Sequence, residues 1–123
     1  MYNKMDDYLS MLSRKSDDDL IKILKHLSTG SGYQLGEIMI EFSNGSDPYL
    51  FIDFPELQDF DGVGFYCIFD PPPMLVEGSV FYEKLKLILH KRMEGKSNEF
   101  NYELRRYLDN IMELCNKKRE KEE

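Results

Sequence analysis

Between His26 and Glu83 the chain has no lysine and no arginine. The same stretch carries ten carboxylates: Glu37, Glu41, Asp47, Asp53, Glu56, Asp59, Asp61, Asp70, Glu77 and Glu83. A surface built on such a segment repels nucleic acid and anionic lipid, and it draws basic partners by long-range steering. The flanks are nearly balanced, with five acids and five bases in residues 1–25 and eight acids against eleven bases in residues 84–123. The net charge of -7 is therefore a property of the middle of the chain.

Cysteine is scarce as well. Cys67 and Cys115 lie far apart, too few for a disulfide framework, and are expected to be reduced and to pack as small apolar groups. No stretch approaches the roughly 18 consecutive apolar residues of a membrane helix. The opening MYNKMDDYLSML carries two aspartates and no signal-like apolar run, so a cytosolic, membrane-free protein is expected. His26 and His90 are the only histidines, both expected late in helices, where a cation suits the helix C-terminus. HxxxH, CxxC, GxSxG and phosphate-loop glycine patterns are missing. No catalytic residue, metal ligand or cofactor is therefore expected.

What is present suffices for one domain. The chain has 123 residues, 41% of them hydrophobic, enough for a single core over residues 1–115, with 116–123 (NKKREKEE) as a charged tail. Met5, Tyr8, Leu9 and Leu12 predict a short helix over Lys4 to Ser13. Ser16 is placed to cap a second, whose stripe is Leu20, Ile23, Leu24 and Leu27 and whose end is STGSG. The period then changes to two. GEIMIEF (36–42), YLFIDF (49–54) and GVGFYCIF (62–69) each predict a strand, and MLVEG (74–78) a short edge strand. Ser79 is expected to cap a third helix, and Phe100, Leu104, Tyr107, Leu108, Ile111 and Cys115 mark a last one over Asn98 to Asn116. The expected fold is α+β: a small antiparallel sheet of three to four strands with two N-terminal and two C-terminal helices packed on it.

The residues from Asp59 to Asp70 invite comparison with a calcium loop. Val63 falls where a ligand oxygen is needed, Asp70 stands in place of the bidentate Glu, and FYCIF reads as strand, so that reading fails. Opposite Ile38, Ile40, Leu50 and Ile52, the two-residue period gathers Glu37, Glu41, Tyr49, Phe51, Asp53 and Tyr66. Aromatics among acids suit protein recognition rather than RNA or DNA. The bland alternative has helices on both faces, with Phe51 and Ile68 as a second core layer.

The stretch FIDFPELQDFDGVGFYCIFDPPP (51–73), followed by SVFYEKLKLILHKRM and a closing helix, resembles the small acidic immunity proteins of bacterial toxin and immunity pairs. The resemblance spans residues 35–115 and is to those of contact-dependent growth inhibition systems that neutralise ribonuclease toxins. It implies a cytosolic inhibitor of the toxin's C-terminal nuclease domain, a monomer in a 1:1 complex. On that reading Asp53, Glu56, Asp59, Asp61 and Asp70 supply the charge contacts, and Phe60 and Tyr66 the apolar anchors. The rival expectation is a non-enzymatic adaptor or scaffold that binds a basic partner through its charged terminal helix.

Overall fold

A computed structural model of the chain describes residues 3–116. The expected tail therefore lies outside the described residues, apart from Asn116, which ends the last helix. Two helices open the chain, α1 (Lys4–Ser13) and α2 (Asp17–Ser28). The Asn3 and Ser16 side chains accept the first free backbone N–H groups, from Asp6 and Asp19. Four antiparallel strands follow, β1 (Tyr33–Leu35), β2 (Ile38–Phe42), β3 (Val63–Cys67) and β4 (Met74–Val76), in the spatial order β1-β2-β3-β4. A short α3 (Leu50–Asp53) and a 3-10 turn (Pro55–Leu57) interrupt the sheet between β2 and β3, and α4 (Gly78–Met93) and α5 (Asn98–Asn116) close the chain. The α+β class and the helices at both ends agree with expectation.

Register explains which face is buried. Tyr33 pairs with Ile40, Ile40 with Phe65 and Phe65 with Met74, so one face of the sheet carries Leu35, Ile38, Phe42, Val63 and Val76 as well. These residues join Leu9, Leu12, Leu24, Phe81, Leu85, Leu104 and Ile111 of the helices in one core. Phe65 is its pivot, with the ring of Tyr8 at 5.7 Å on one side and that of Phe81 at 5.8 Å on the other.

Three local expectations are corrected. Tyr49 to Phe54 does not form a strand: Asp47 Oδ1 accepts from the Tyr49 N–H at 2.8 Å, the Leu50 N–H bonds back to the Asp47 carbonyl, and the Phe54 N–H to the Leu50 carbonyl. An aspartate followed by Pro48 starts a helical turn, and this local geometry overrides the alternation of the side chains. Leu50 alone of that run is fully buried, and Ile52, expected inside, is exposed. A strand missed in the sequence, β1, pairs with β2 through a two-residue turn in which Gly36 has φ +57°, as a tight hairpin requires. Ser79 is not a cap either, because α4 starts at Gly78 and Glu77 precedes it without a side-chain cap.

That early start follows from helix packing. A Cβ on Gly78 would run into the backbone carbonyl of Cys115, so the first turn of α4 crosses the end of α5 with nothing between the two backbones. Gly78→Ala is expected to destabilise the fold by about 2–3 kcal/mol, because a backbone rather than a flexible side chain would have to yield. Urea unfolding measures it, and a change within about 0.5 kcal/mol, the range of a neutral surface substitution, would mean the helices shift freely.

The bases of the flanking helices are partly engaged inside the molecule. Lys84 reaches Asp6 at 3.1 Å, and Arg92 and Lys96 grip Asp17 at 2.7 and 2.8 Å. Lys96 and Arg92 together hold the Asp17 carboxyl below its usual range. Both cysteines are unpaired, Cys67 buried on β3 and Cys115 on α5, and burial pushes the Cys115 thiol up to about 12.

Candidate functional site

The four long helices α1, α2, α4 and α5 pack on one face of the sheet. On the other lie Gln34 and Met39 of β1 and β2, Glu41, Gly64 and Tyr66, and Leu75 of β4. Residues 44–61 leave the sheet and return over this face. Their ends are pinned by Ser43 and Gly62, which exchange a backbone hydrogen bond at 2.9 Å and a side-chain one, from the Gly62 N–H to Ser43 Oγ, at 2.8 Å. The excursion has its own small apolar anchor in the buried Leu50 and Leu57, and Phe54 lies against the ring of Tyr66 with centroids 4.6 Å apart.

This arrangement brings together most of the residues singled out above. Asp53 ends α3, Glu56 lies in the 3-10 turn, Asp59 and Asp61 follow on the surface, and the half-buried Phe60 folds its ring over Gly62. Tyr66 sits beneath Phe54, and Glu56 approaches its hydroxyl. Burial first, then the Glu56 and Glu41 carboxylates, pushes the Tyr66 hydroxyl well above its ordinary value, yet no hydrogen bond of ordinary geometry satisfies it.

Asp70 does not join them. It lies past β3 and makes an ion pair with Lys4 at 3.1 Å, while Lys4 Nζ also donates to the Pro72 carbonyl at 3.3 Å. Folding thus brings a base to Asp70 from 66 positions away in the chain. The segment from Asp59 to Asp70 accordingly does not wrap an ion, since Val63–Cys67 is a strand and Asp70 is held elsewhere. Ile68 and Phe69, beside Asp70, are exposed at 84% and 76%, so Ile68 is not a second core layer, and Phe51 is half-buried.

The residue that sequence reasoning left off the site is Glu41. It lies on the covered face of β2 opposite Gly64, and Gly32 stands just beyond the last β1–β2 pair on its other side. A Cβ on Gly32 would collide with the Glu41 carboxylate, and one on Gly64 would lie 2.6 Å from the Tyr66 ring. Two side chains thus use the space that two glycines leave. Glu41 is only 7% exposed. Its pKa is raised from 4.5 to about 7, chiefly by burial and further by Asp47 and Asp53, with nothing opposing the rise. Among the described residues no base lies within ion-pair distance of Glu41, Asp47, Asp53 or Glu56. The sequence did place Glu41 on a face with Tyr66 and Asp53. Its burial depended on cross-strand glycines, and register cannot be read from one strand.

The sign of the resulting pH dependence is fixed. The folded protein keeps the Glu41 proton to a higher pH than the unfolded chain does, so the stability of that neutral form is complete below about 4.5 and is lost as the pH rises through about 7. With allowance for solvent near the carboxylate, the loss is roughly 2 kcal/mol. Glu41→Gln should abolish this component. Urea unfolding at pH 5 and pH 8 would show a smaller loss for the variant, and parallel behaviour of the two proteins would contradict a buried, isolated carboxylate.

No protein-family model, no curated protein and no solved structure matches this chain. Among the described residues no helix is long and apolar enough to cross a membrane.

Proposed function

We propose that this protein is an immunity protein, a cytosolic antitoxin that binds the basic nuclease domain of a cognate toxin, acting as a monomer in a 1:1 complex. The observation that carries the reading is the excursion over residues 44–61. It presents Asp47, Asp53, Glu56 and Asp59 on an exposed surface together with Tyr49 and Ile52, 64% and 76% exposed. A nuclease must attract polyanionic RNA, and so offers a basic face. An acidic surface with apolar anchors answers it, steering association and then excluding water from the contact. The resemblance of residues 35–115 to ribonuclease immunity proteins points the same way.

The direct test uses the C-terminal domain of whichever large secreted protein is encoded immediately upstream. Calorimetry at low and high salt should show tight binding that weakens with salt, and RNA cleavage should stop at one equivalent. Absence of binding at both salts would remove the immunity reading for that pair.

An adaptor is the second reading, favoured by the exposed Tyr102 on α5 beside Arg105 and Arg106. Deleting α5 cannot test it, because Leu104, Tyr107, Leu108 and Ile111 belong to the core. Tyr102→Ala with Arg105→Glu leaves the core intact. Loss of partner binding in that variant, with the acidic excursion unchanged, would favour the adaptor.

A further inference from the structure

We propose that the end of the sheet formed by the β1–β2 turn and the β3–β4 loop is a second contact for the basic protein partner, with Ile68 and Phe69 entering an apolar pocket of that partner and the groove between α1 and the β1–β2 turn receiving one of its apolar side chains. The inference rests on the reading of this protein as the binder of such a domain, and adds a surface outside the acidic excursion.

Ile68 and Phe69 follow β3 and, among the described residues, are the one adjacent pair of large apolar side chains exposed to solvent. Scattered single exposures are ordinary, whereas contiguous apolar surface left in water marks a contact. The loop that carries them is held from below. The Asp70 N–H bonds to the Cys67 carbonyl at 3.1 Å, and Lys4, only 8% exposed, pairs with the Asp70 carboxylate and donates to the Pro72 carbonyl. Pro71, Pro72 and Pro73 fix their own φ angles. A loop so braced has little freedom left to lose on binding, which is the condition under which buried apolar area becomes affinity.

The groove is a separate observation at the same end of the sheet. Ile38 pairs with Cys67, so Glu37, one residue earlier, and Ile68, one residue later, leave the sheet side by side. Gly36, Glu37 and Ile38 line one side of an open groove of about 500 Å³, and Asp7, Met11 and Arg14 of α1 line the other. The buried Ile38 and half-buried Met11 are its apolar part. A Cβ on Gly36 would stand 3.1 Å from Met11 Sδ, so a glycine there leaves the groove clear. Helix α1 thus serves both features, bracing the loop with Lys4 and walling the groove further along.

Charge selects the occupant. Asp7, Arg14 and Glu37 are exposed, and none is in an ion pair among the described residues, so carboxylates outnumber bases around the groove. A second copy would set these carboxylates against one another, and an anionic membrane would meet them as like charge. A basic protein domain meets neither penalty, and can offer an apolar pocket and an apolar side chain beside its bases.

Methionine-methyl NMR on the wild-type chain tests the contact, so the folding of a variant does not limit it. Met11 reports the groove and Met39 the other face of the sheet, with Met11→Leu and Met39→Leu to assign them. The upstream protein's C-terminal domain should move the Met11 signal until the mixture is equimolar. Ile68→Ser with Phe69→Ser, checked by its thermal transition, should speed dissociation about 100-fold while association changes less than about threefold, since apolar anchors act after encounter. That factor should be the same at low and high salt. A domain that binds without moving Met11, or that holds the double variant as tightly as wild type, overturns the proposal and leaves the immunity reading standing. A domain that moves Met11 and is weakened by the double variant, yet keeps cleaving RNA when bound, supports the contact and removes the immunity reading. Absence of binding to wild type removes both. A Met11 signal that moves with protein concentration alone makes a second copy the occupant, and one that moves with phosphatidylcholine–phosphatidylglycerol vesicles makes it a lipid surface; either overturns the proposal.

Discussion

Replacing Phe65 by alanine is expected to destabilise the protein by about 3–5 kcal/mol, the range for a fully buried phenylalanine whose cavity its neighbours cannot close. The neighbours here are themselves held. Tyr8 donates its hydroxyl to the Tyr33 carbonyl at 2.9 Å, and Phe81 lies between Phe65 and Phe42, 6.0 Å from the latter. Neither ring can swing into the void without giving up its own contact, so most of the cavity should persist. A domain of ordinary stability has only about 5–15 kcal/mol to lose, and Phe65→Ala should therefore leave a substantial unfolded fraction on modest warming. Phe65→Leu, which keeps most of the volume, should cost under half as much. Urea and thermal unfolding of both variants measure this, and a loss below about 1.5 kcal/mol for the alanine variant, a value typical of tolerated volume-conserving swaps, would show that the core repacks. The functional consequence is direct, because β3 carries Phe65 on its core face and Tyr66 on the face beneath the acidic excursion.

Reversing two charges on that excursion should have the largest effect on binding. Asp53→Lys with Glu56→Lys is expected to lower affinity for the basic partner by on the order of 100-fold at low salt, mostly through slower association, with the gap narrowing as salt is added. Folding should be nearly unaffected, since both residues are exposed and neither is in an ion pair among the described residues. A second signature accompanies the first. Asp53 is one of the charges that raise the Glu41 pKa, so a lysine there should bring Glu41 back toward its ordinary value and shrink the loss of stability between pH 5 and pH 8. Stopped-flow association and calorimetry at two salt concentrations check the first result, and unfolding at the two pH values checks the second. Asp70→Lys serves as a contrast: it breaks the pair with Lys4 and should act on stability rather than association, because that acid is engaged inside the molecule. If the double reversal left the association rate unchanged, the excursion would not be the contact surface.

The four long helices were legible because each carries its own evidence. Leu20, Ile23, Leu24 and Leu27 describe one face without reference to any other segment, and Ser16 marks the start of that helix. Of the strands, β2 and β3 showed the two-residue period, and β4 was marked only as a short run after three prolines. In Tyr49 to Phe54, side-chain alternation did not decide the backbone. Its alternation is as good as that of β2, and a hydrogen bond from one backbone N–H to Asp47, two residues earlier, set it in a helical turn instead.

The sequence by itself determined the α+β class, the clustering of acids in the middle of the chain and the confinement of its bases to the two flanks, because composition and short-range periodicity are local properties. Only the tertiary structure decided the fate of individual carboxylates. Asp70 found Lys4, Asp17 found Arg92 and Lys96, and Glu41 came to lie between Gly64 on β3 and Gly32 just before β1. Charge interactions depend on distance and on access to water, and both are set by which strands lie side by side and in what register.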